Sequence, residues 1–119
     1  MVDLNSKIYV AGHRGLVGSA IIRKLKEKGY KNIIYSNREK LDLTNQLQVY
    51  KFLRKKKPDF IFIAAAKVGG ILDNNSYKAD YITENLLIQT NLIQGSYLYG
   101  VKNLIFLGSS CVYPKNCKQ

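Results

Sequence analysis

Gly12, Gly15 and Gly18 recur every third residue between a short apolar run, Lys7-Ile8-Tyr9-Val10-Ala11, and a stretch of helical periodicity from Leu16 to Lys28. A tight turn from a strand directly into a helix leaves few folds open. The first glycine permits the turn, the second lets backbone approach a bound group, and the third lets helix pack against strand. A helix opening there presents free N–H groups, so Gly12-His13-Arg14-Gly15-Leu16-Val17-Gly18 is a candidate pyrophosphate cradle. Its spacing, G-x-x-G-x-x-G, departs from the common G-x-G-x-x-G. A purely structural glycine turn in another α/β fold is the competing reading. Val17, Ala20, Ile21, the stem of Lys24 and Leu25 fall at helical spacing. Lys26 and Lys28 occupy the last turn and Gly29 stops it.

The same alternation continues along the chain. Asn32–Tyr35 reads as a second strand. Thr44 is the expected N-cap of a helix with Leu47, Tyr50 and Leu53 on one face, ending before Pro58. Phe60-Ile61-Phe62-Ile63-Ala64-Ala65 is an unbroken apolar run, as expected of a strand buried on both faces. Gly69-Gly70 and Asn74-Asn75 mark a loop. A long helix is expected from about Asp80 to Tyr99, with Ile82, Leu86, Ile93 and Tyr97 inward and Gly100 as terminator. Asn103–Leu107 is a fourth strand, left by the loop Gly108-Ser109-Ser110-Cys111-Val112-Tyr113-Pro114. The order βαβαβαβ predicts an α/β fold. It is a partial Rossmann fold, a doubly wound parallel sheet of expected order 3-2-1-4 with later strands missing. An open fourth-strand edge would be an aggregation hazard, and the chain of 119 residues is expected to be marginally stable.

Nineteen Lys and Arg against eight Asp and Glu give a formal net charge of +11. That balance raises nucleic-acid or anionic-membrane binding. The lysines are dispersed, however, and the one run, Arg54-Lys55-Lys56-Lys57, falls where a helix should end and suits its dipole. Solvated helix faces are therefore the preferred reading, with neither nucleic acid nor membrane as partner. No apolar run reaches the roughly 20 residues of a membrane span, and no signal-peptide core opens the chain. Two cysteines, Cys111 and Cys117, are too few for a disulfide framework, so a cytoplasmic setting with free thiols is expected. No metal site is expected.

Ligands on open α/β sheets bind beyond the carboxyl ends of the strands. An NAD site places an acid at the end of the second strand, but here that end reads Tyr35-Ser36-Asn37-Arg38. Arg14 and Arg38 can converge on a 2′-phosphate, which favours NADP; each is otherwise a solvated surface residue. Asp42 either caps the second helix or meets the adenine amine. After the third strand, small residues including Ala65 leave room for a ribose. Lys67 either meets a phosphate or is exposed, and Gly69-Gly70 lets backbone approach a ligand. After the fourth strand, a serine hydroxyl can polarise a substrate carbonyl. Cys111 either moves a proton or fills space.

Three segments together resemble the GDP-L-fucose synthase family of extended short-chain dehydrogenase/reductases. They are Ala11–Ala20, Ala64-Ala65-Ala66-Lys67-Val68-Gly69-Gly70-Ile71 and Leu107-Gly108-Ser109-Ser110-Cys111-Val112-Tyr113-Pro114. The resemblance runs from about Lys7 to the end and implies an NADPH-dependent enzyme. That family epimerises GDP-4-keto-6-deoxy-D-mannose at C3 and C5 and reduces its C4 ketone. By resemblance, Gly12 to Gly18 hold the pyrophosphate, Arg14 and Arg38 face the 2′-phosphate, and Arg38 to Leu43, Asp42 included, follow the adenosine. Leu107, Gly108, Ser109 and Ser110 flank the nicotinamide. Ser109 matches the catalytic serine that binds the C4 carbonyl, and Cys111 matches an acid/base of the epimerisation. Lys67, Val68 and Gly69 are assigned to the substrate.

One departure is large. None of the nine tyrosines has Lys four residues on, so the superfamily's Tyr-x-x-x-Lys pair is absent. In the family it lies downstream of the Ser-Ser-Cys loop, as do the second acid/base and the sugar-nucleotide domain. Residues 1–119 are therefore expected to be the N-terminal part of an NADP-binding domain, inactive alone and homodimeric at full length. A reductase of another GDP-keto-deoxy sugar, such as a heptose, without epimerisation is one alternative. A non-catalytic nucleotide-binding fragment is the other.

Overall fold

Each apolar run becomes a strand and each helical stretch a helix. The computed structural model describes residues 3–109, 113, 114 and 116. In chain order these form β1 (Ile8–Ala11), α1 (Leu16–Glu27), β2 (Ile33–Ile34), α2 (Gln46–Lys56), β3 (Phe60–Ile63), α3 (Ile71–Ser76), α4 (Lys78–Leu98) and β4 (Asn103–Phe106). α3 occupies the segment expected to be loop. Its N-cap is Gly70 and its first turn carries Asp73, which suits the helix dipole.

All strand pairs are parallel, with Ile8 opposite Ile33 and Phe60, and Ile63 opposite Phe106. The α/β class and parallel sheet are as expected, but the order is β2-β1-β3-β4 rather than 3-2-1-4. β2 is two residues long and half-buried, and the segment 35–45 after it is turns and irregular backbone. Among the described residues no strand forms beyond β2, so β2 is the edge. The apolar Phe60–Ile63 finds a ladder on each edge between β1 and β4, with Ile61 and Ile63 buried on one face and Phe60 and Phe62, expected to be buried too, only half-buried on the other.

Period-2 alternation divides the strands between two faces. Tyr9, Ala11, Ile61 and Ile63 join Val49 and Leu53 of α2 and Ile88 and Leu92 of α4 in one buried cluster. Ile8 and Val10 point to the other face, where α1 packs on β1. Each of the buried Val, Leu and Ile side chains contributes roughly 1.5–3 kcal/mol by leaving water. Burial pushes the Tyr9 phenol pKa far up, so it stays protonated.

The helices turn differently from the expected phase. On α4 the buried residues are Tyr81, Ile88, Asn91, Leu92, Gly95 and Ser96. Ile82, Leu86, Ile93 and Tyr97, expected inward, are exposed. The helix carries apolar side chains on both sides, so periodicity alone could not choose, and small residues decided it. A Cβ on Gly95 would lie 2.8 Å from Leu53 Cδ1, so α4 approaches α2 more closely there than any larger residue allows. The amide of buried Asn91 donates to the Leu43 carbonyl at 2.9 Å. On α2, Val49 and Leu53 are buried while Leu47 is exposed. On α1, Val17 and Lys24 are exposed, and Gly18 is the buried residue. The N-cap of α2 is Asn45, whose Oδ1 accepts from the Gln48 N–H at 3.1 Å, rather than Thr44.

Candidate functional site

The chain leaves β1 toward β2 on one side and leaves β3 toward β4 on the other. Loops that diverge in this way open a crevice at the carboxyl ends of the strands. A cleft of about 460 Å³ lies there, lined by the glycine turn, by residues after β2, by Ala64–Val68 after β3, and by Glu84 and Ile88 of α4.

The turn is built for close approach. Gly12 has φ +83°, and a Cβ on it would lie 2.5 Å from the Ala64 carbonyl oxygen. Neither constraint admits a side chain. A Cβ on Gly18 would collide with the Gly12 carbonyl. Gly15 is the N-cap of α1, with no side-chain cap and no acid in the first turn. The positive end of that helix dipole therefore has no acidic side chain in its own first turn to offset it. The His13 ring stacks on Tyr35 at 5.0 Å. Partial burial, then the neighbouring Arg14 charge, hold the His13 pKa below its ordinary value, so the ring is neutral at pH 7.

Asp42 neither caps α2 nor stands free. Its Oδ1 accepts from the Thr44 N–H at 2.9 Å and the Thr44 hydroxyl at 2.7 Å. Its own N–H donates to Gln48 Oε1 at 3.0 Å. The Thr44 hydroxyl, then the Thr44 N–H, keep the Asp42 carboxyl below its usual range. Asn37 Oδ1, on a residue lining the cleft, is buried without a hydrogen-bond partner.

Opposite them, Glu84 bridges two cations. Its Oε1 lies 3.0 Å from Arg38 Nη2 and its Oε2 lies 3.1 Å from Lys67 Nζ. Asn85 clamps the Lys67 backbone, accepting from its N–H at 2.7 Å and donating to its carbonyl at 3.0 Å. The Lys67 ammonium sits 5.2 Å from the centre of the Tyr81 ring, and the Tyr81 hydroxyl donates to Asp73. That carboxylate raises the Tyr81 pKa. Lys67 is thus neither simply exposed nor without an anion.

Of the residues assigned from sequence, Gly12, His13, Arg14, Gly15, Arg38, Asp42, Leu43, Ala65, Lys67 and Val68 share the cleft. Leu16, Val17, Gly18, Gly69, Leu107, Gly108 and Ser109 do not line it. Ser110 and Cys111 lie outside the described residues. Glu84 and Asn85 were missed. They share a stripe with Tyr81 and Ile88, at positions i, i+3, i+4 and i+7, and that stripe was legible only with the correct phase of α4. Among the described residues no group of His, Cys, Asp and Glu is placed to hold a metal ion. No helix among them is long and apolar enough to cross a membrane.

An uncapped helix N-terminus behind a glycine turn, with two arginines lining the same crevice, defines a nucleotide-binding α/β domain. Residues 8–119 match the NAD dependent epimerase/dehydratase family, and the chain belongs to it. It is 56% identical to GDP-L-fucose synthase 1 of Arabidopsis thaliana over 119 residues, 100% of this chain and 37% of that protein. It is 54% identical to GDP-L-fucose synthase of Sinorhizobium fredii over 95% of this chain and 36% of that protein. The structure superposes on a GDP-D-glycero-L-gluco-heptose synthase from Campylobacter jejuni, solved in the presence of NADPH. The TM-score is 0.95 at 43% identity, over 99% of this chain and 34% of that one. The chain spans 36–37% of the length of these curated relatives.

Proposed function

We propose that this chain is the N-terminal, cofactor-holding part of an NADPH-dependent GDP-L-fucose synthase. The full-length enzyme converts GDP-4-keto-6-deoxy-D-mannose to GDP-L-fucose by epimerisation at C3 and C5 and reduction at C4. It works in the cytoplasm as a homodimer, and the exposed apolar residues of α4 support a second packing surface. The 119-residue chain alone is inactive, because it carries no Tyr-x-x-x-Lys pair. A sugar-nucleotide domain would be supplied by further chain.

The cleft carries this reading, because its residues fit the group proposed for it. Gly12, Gly15 and Gly18 keep side chains away from the α1 N-terminus, where the backbone N–H groups of Leu16, Val17 and Gly18 receive the pyrophosphate. Arg14 and Arg38 hold the 2′-phosphate by charge-assisted hydrogen bonds. Asp42 and Leu43 follow the adenosine, and Ala65 leaves space for a ribose. When bound, NADPH supplies the hydride that reduces the C4 ketone. Leu107, Gly108 and Ser110 flank the nicotinamide, and the Ser109 hydroxyl hydrogen-bonds the C4 carbonyl. Cys111 moves a proton in the epimerisation, while Lys67, Val68 and Gly69 face the sugar nucleotide.

NADPH and NADH titrations of wild type and Arg38→Ala test the cofactor. Loss of one charge-assisted contact should weaken NADPH by about tenfold or more and leave NADH nearly unchanged. Equal loss of both removes the 2′-phosphate role. Product NMR after turnover of the full-length enzyme in deuterated water tests the reaction. Deuterium at C3 and C5 marks epimerisation, and its absence marks a reductase only.

A further inference from the structure

Glu84 introduces an acid into a cleft whose second-strand end has none. It comes from α4, whereas Arg38 follows β2 and Lys67 follows β3, so only the tertiary fold brings the three charges together. Each Glu84 oxygen meets a different cation. The Arg38 side chain is 74% exposed and the Glu84 side chain 18%, which makes Arg38 the arm that can swing and Glu84 the fixed post. We propose that Glu84 is a cofactor-selectivity residue. Its carboxylate competes with the 2′-phosphate of an adenosine ligand for Arg38, and so sets how strongly the cleft prefers a 2′-phosphorylated nucleotide over one with a free 2′-hydroxyl.

The inference rests on the NADP reading above. A phosphate dianion arriving at Arg38 draws the guanidinium away from Glu84. The carboxylate is then left half-buried, a position that is unfavourable without a partner. Lys67, 3.1 Å from the other oxygen, remains as its counter-ion. One acid between two cations therefore allows Arg38 to change partners while Glu84 stays paired. Every exchange still removes an existing ion pair, and the Glu84 charge lowers the positive potential the phosphate meets. An acid in such a cleft also tolerates a 2′-hydroxyl, which can donate to it.

The test is calorimetric titration of the full-length gene product with 2′,5′-ADP and with 5′-AMP, in wild type, Glu84→Gln, Arg38→Ala and the double variant. Glu84→Gln is expected to tighten 2′,5′-ADP about three- to tenfold and change 5′-AMP by less than about twofold. In the Arg38→Ala background the same substitution should discriminate much less between the two ligands, by about twofold at most, since only the direct charge effect of Glu84 remains. Weaker 2′,5′-ADP binding in Glu84→Gln would show that Glu84 positions Arg38 and would overturn the proposal. An equal shift for both ligands, or no shift, overturns it too. If Glu84→Gln fails to bind 5′-AMP, Glu84→Asp, shorter by a methylene, is read in the same way. The parent reading fails separately, if wild type does not prefer 2′,5′-ADP and Arg38→Ala leaves the ratio of affinities unchanged.

Discussion

Strands β1 and β4 pair with the same partner, β3, over the same four rungs, yet they have opposite surroundings. Ile8, Tyr9, Val10 and Ala11 are at most 1% exposed, while Ile105 and Phe106 are 42% and 41% exposed. Both strands are apolar. β1 has a second ladder to β2 and helices against both of its faces, whereas β4 is the sheet edge. Position in the sheet, more than side-chain character, sets how much water a strand loses. The loops beyond the strands follow the same division. The turn after β1 lies in the crevice and lines the cleft, and residues 107–109 after β4 do not.

The largest effect that bears on this comparison should come from Tyr9→Ala, which empties a fully buried site. A loss of about 3–5 kcal/mol is expected from denaturant unfolding. Phe106→Ala in the 119-residue chain should lose about 1 kcal/mol or less, because the ring already contacts water. If Phe106→Ala in a longer gene product is as damaging as Tyr9→Ala, further chain covers β4 and the contrast belongs to this segment alone.

Gly12→Ala comes next. It forces a side chain into a left-handed backbone against the Ala64 carbonyl and is expected to lose about 1–3 kcal/mol of stability. It should also weaken 5′-AMP, which Arg38→Ala should not. Gly108→Ala, where nothing stands within 4 Å of the new Cβ, is the matching control beyond β4 and should unfold within about 0.5 kcal/mol of wild type.

The smallest effect is one of pH. The folded Asp42 pKa lies below its unfolded value, so its stabilising contribution is complete above the unfolded pKa and is lost as pH falls through the folded one. Melting temperature should therefore fall as pH drops below about 4, the ordinary Asp pKa, in wild type. The fall should be shallower in Thr44→Val, which removes the hydroxyl that contributes most to the shift. Equal slopes in the two proteins would remove Thr44 as the cause.

Much of the domain was written in short stretches of chain. The turn Gly12–Gly18 was legible because a left-handed φ and two close backbone approaches demand glycine at fixed spacing. The run Ile8–Ala11 was legible because a strand buried on both faces needs continuous apolar residues, and Phe60–Ile63 was legible as a strand although only its Ile61 and Ile63 face is fully buried. Arg14 and Arg38 were legible as cleft residues because each adjoins a strand's carboxyl end.

The sequence by itself determined the alternation of strands and helices, the parallel sheet and the glycine turn into α1, since each follows from backbone and side-chain chemistry within a few residues. Only the tertiary structure decided that β3 lies beside β1, that α4 turns Leu92 rather than Ile93 to the core, and that Glu84 meets Arg38 and Lys67. Those outcomes depend on which surfaces leave water together. A helix apolar on both sides, or an ion pair between residues 46 positions apart, has no local signature.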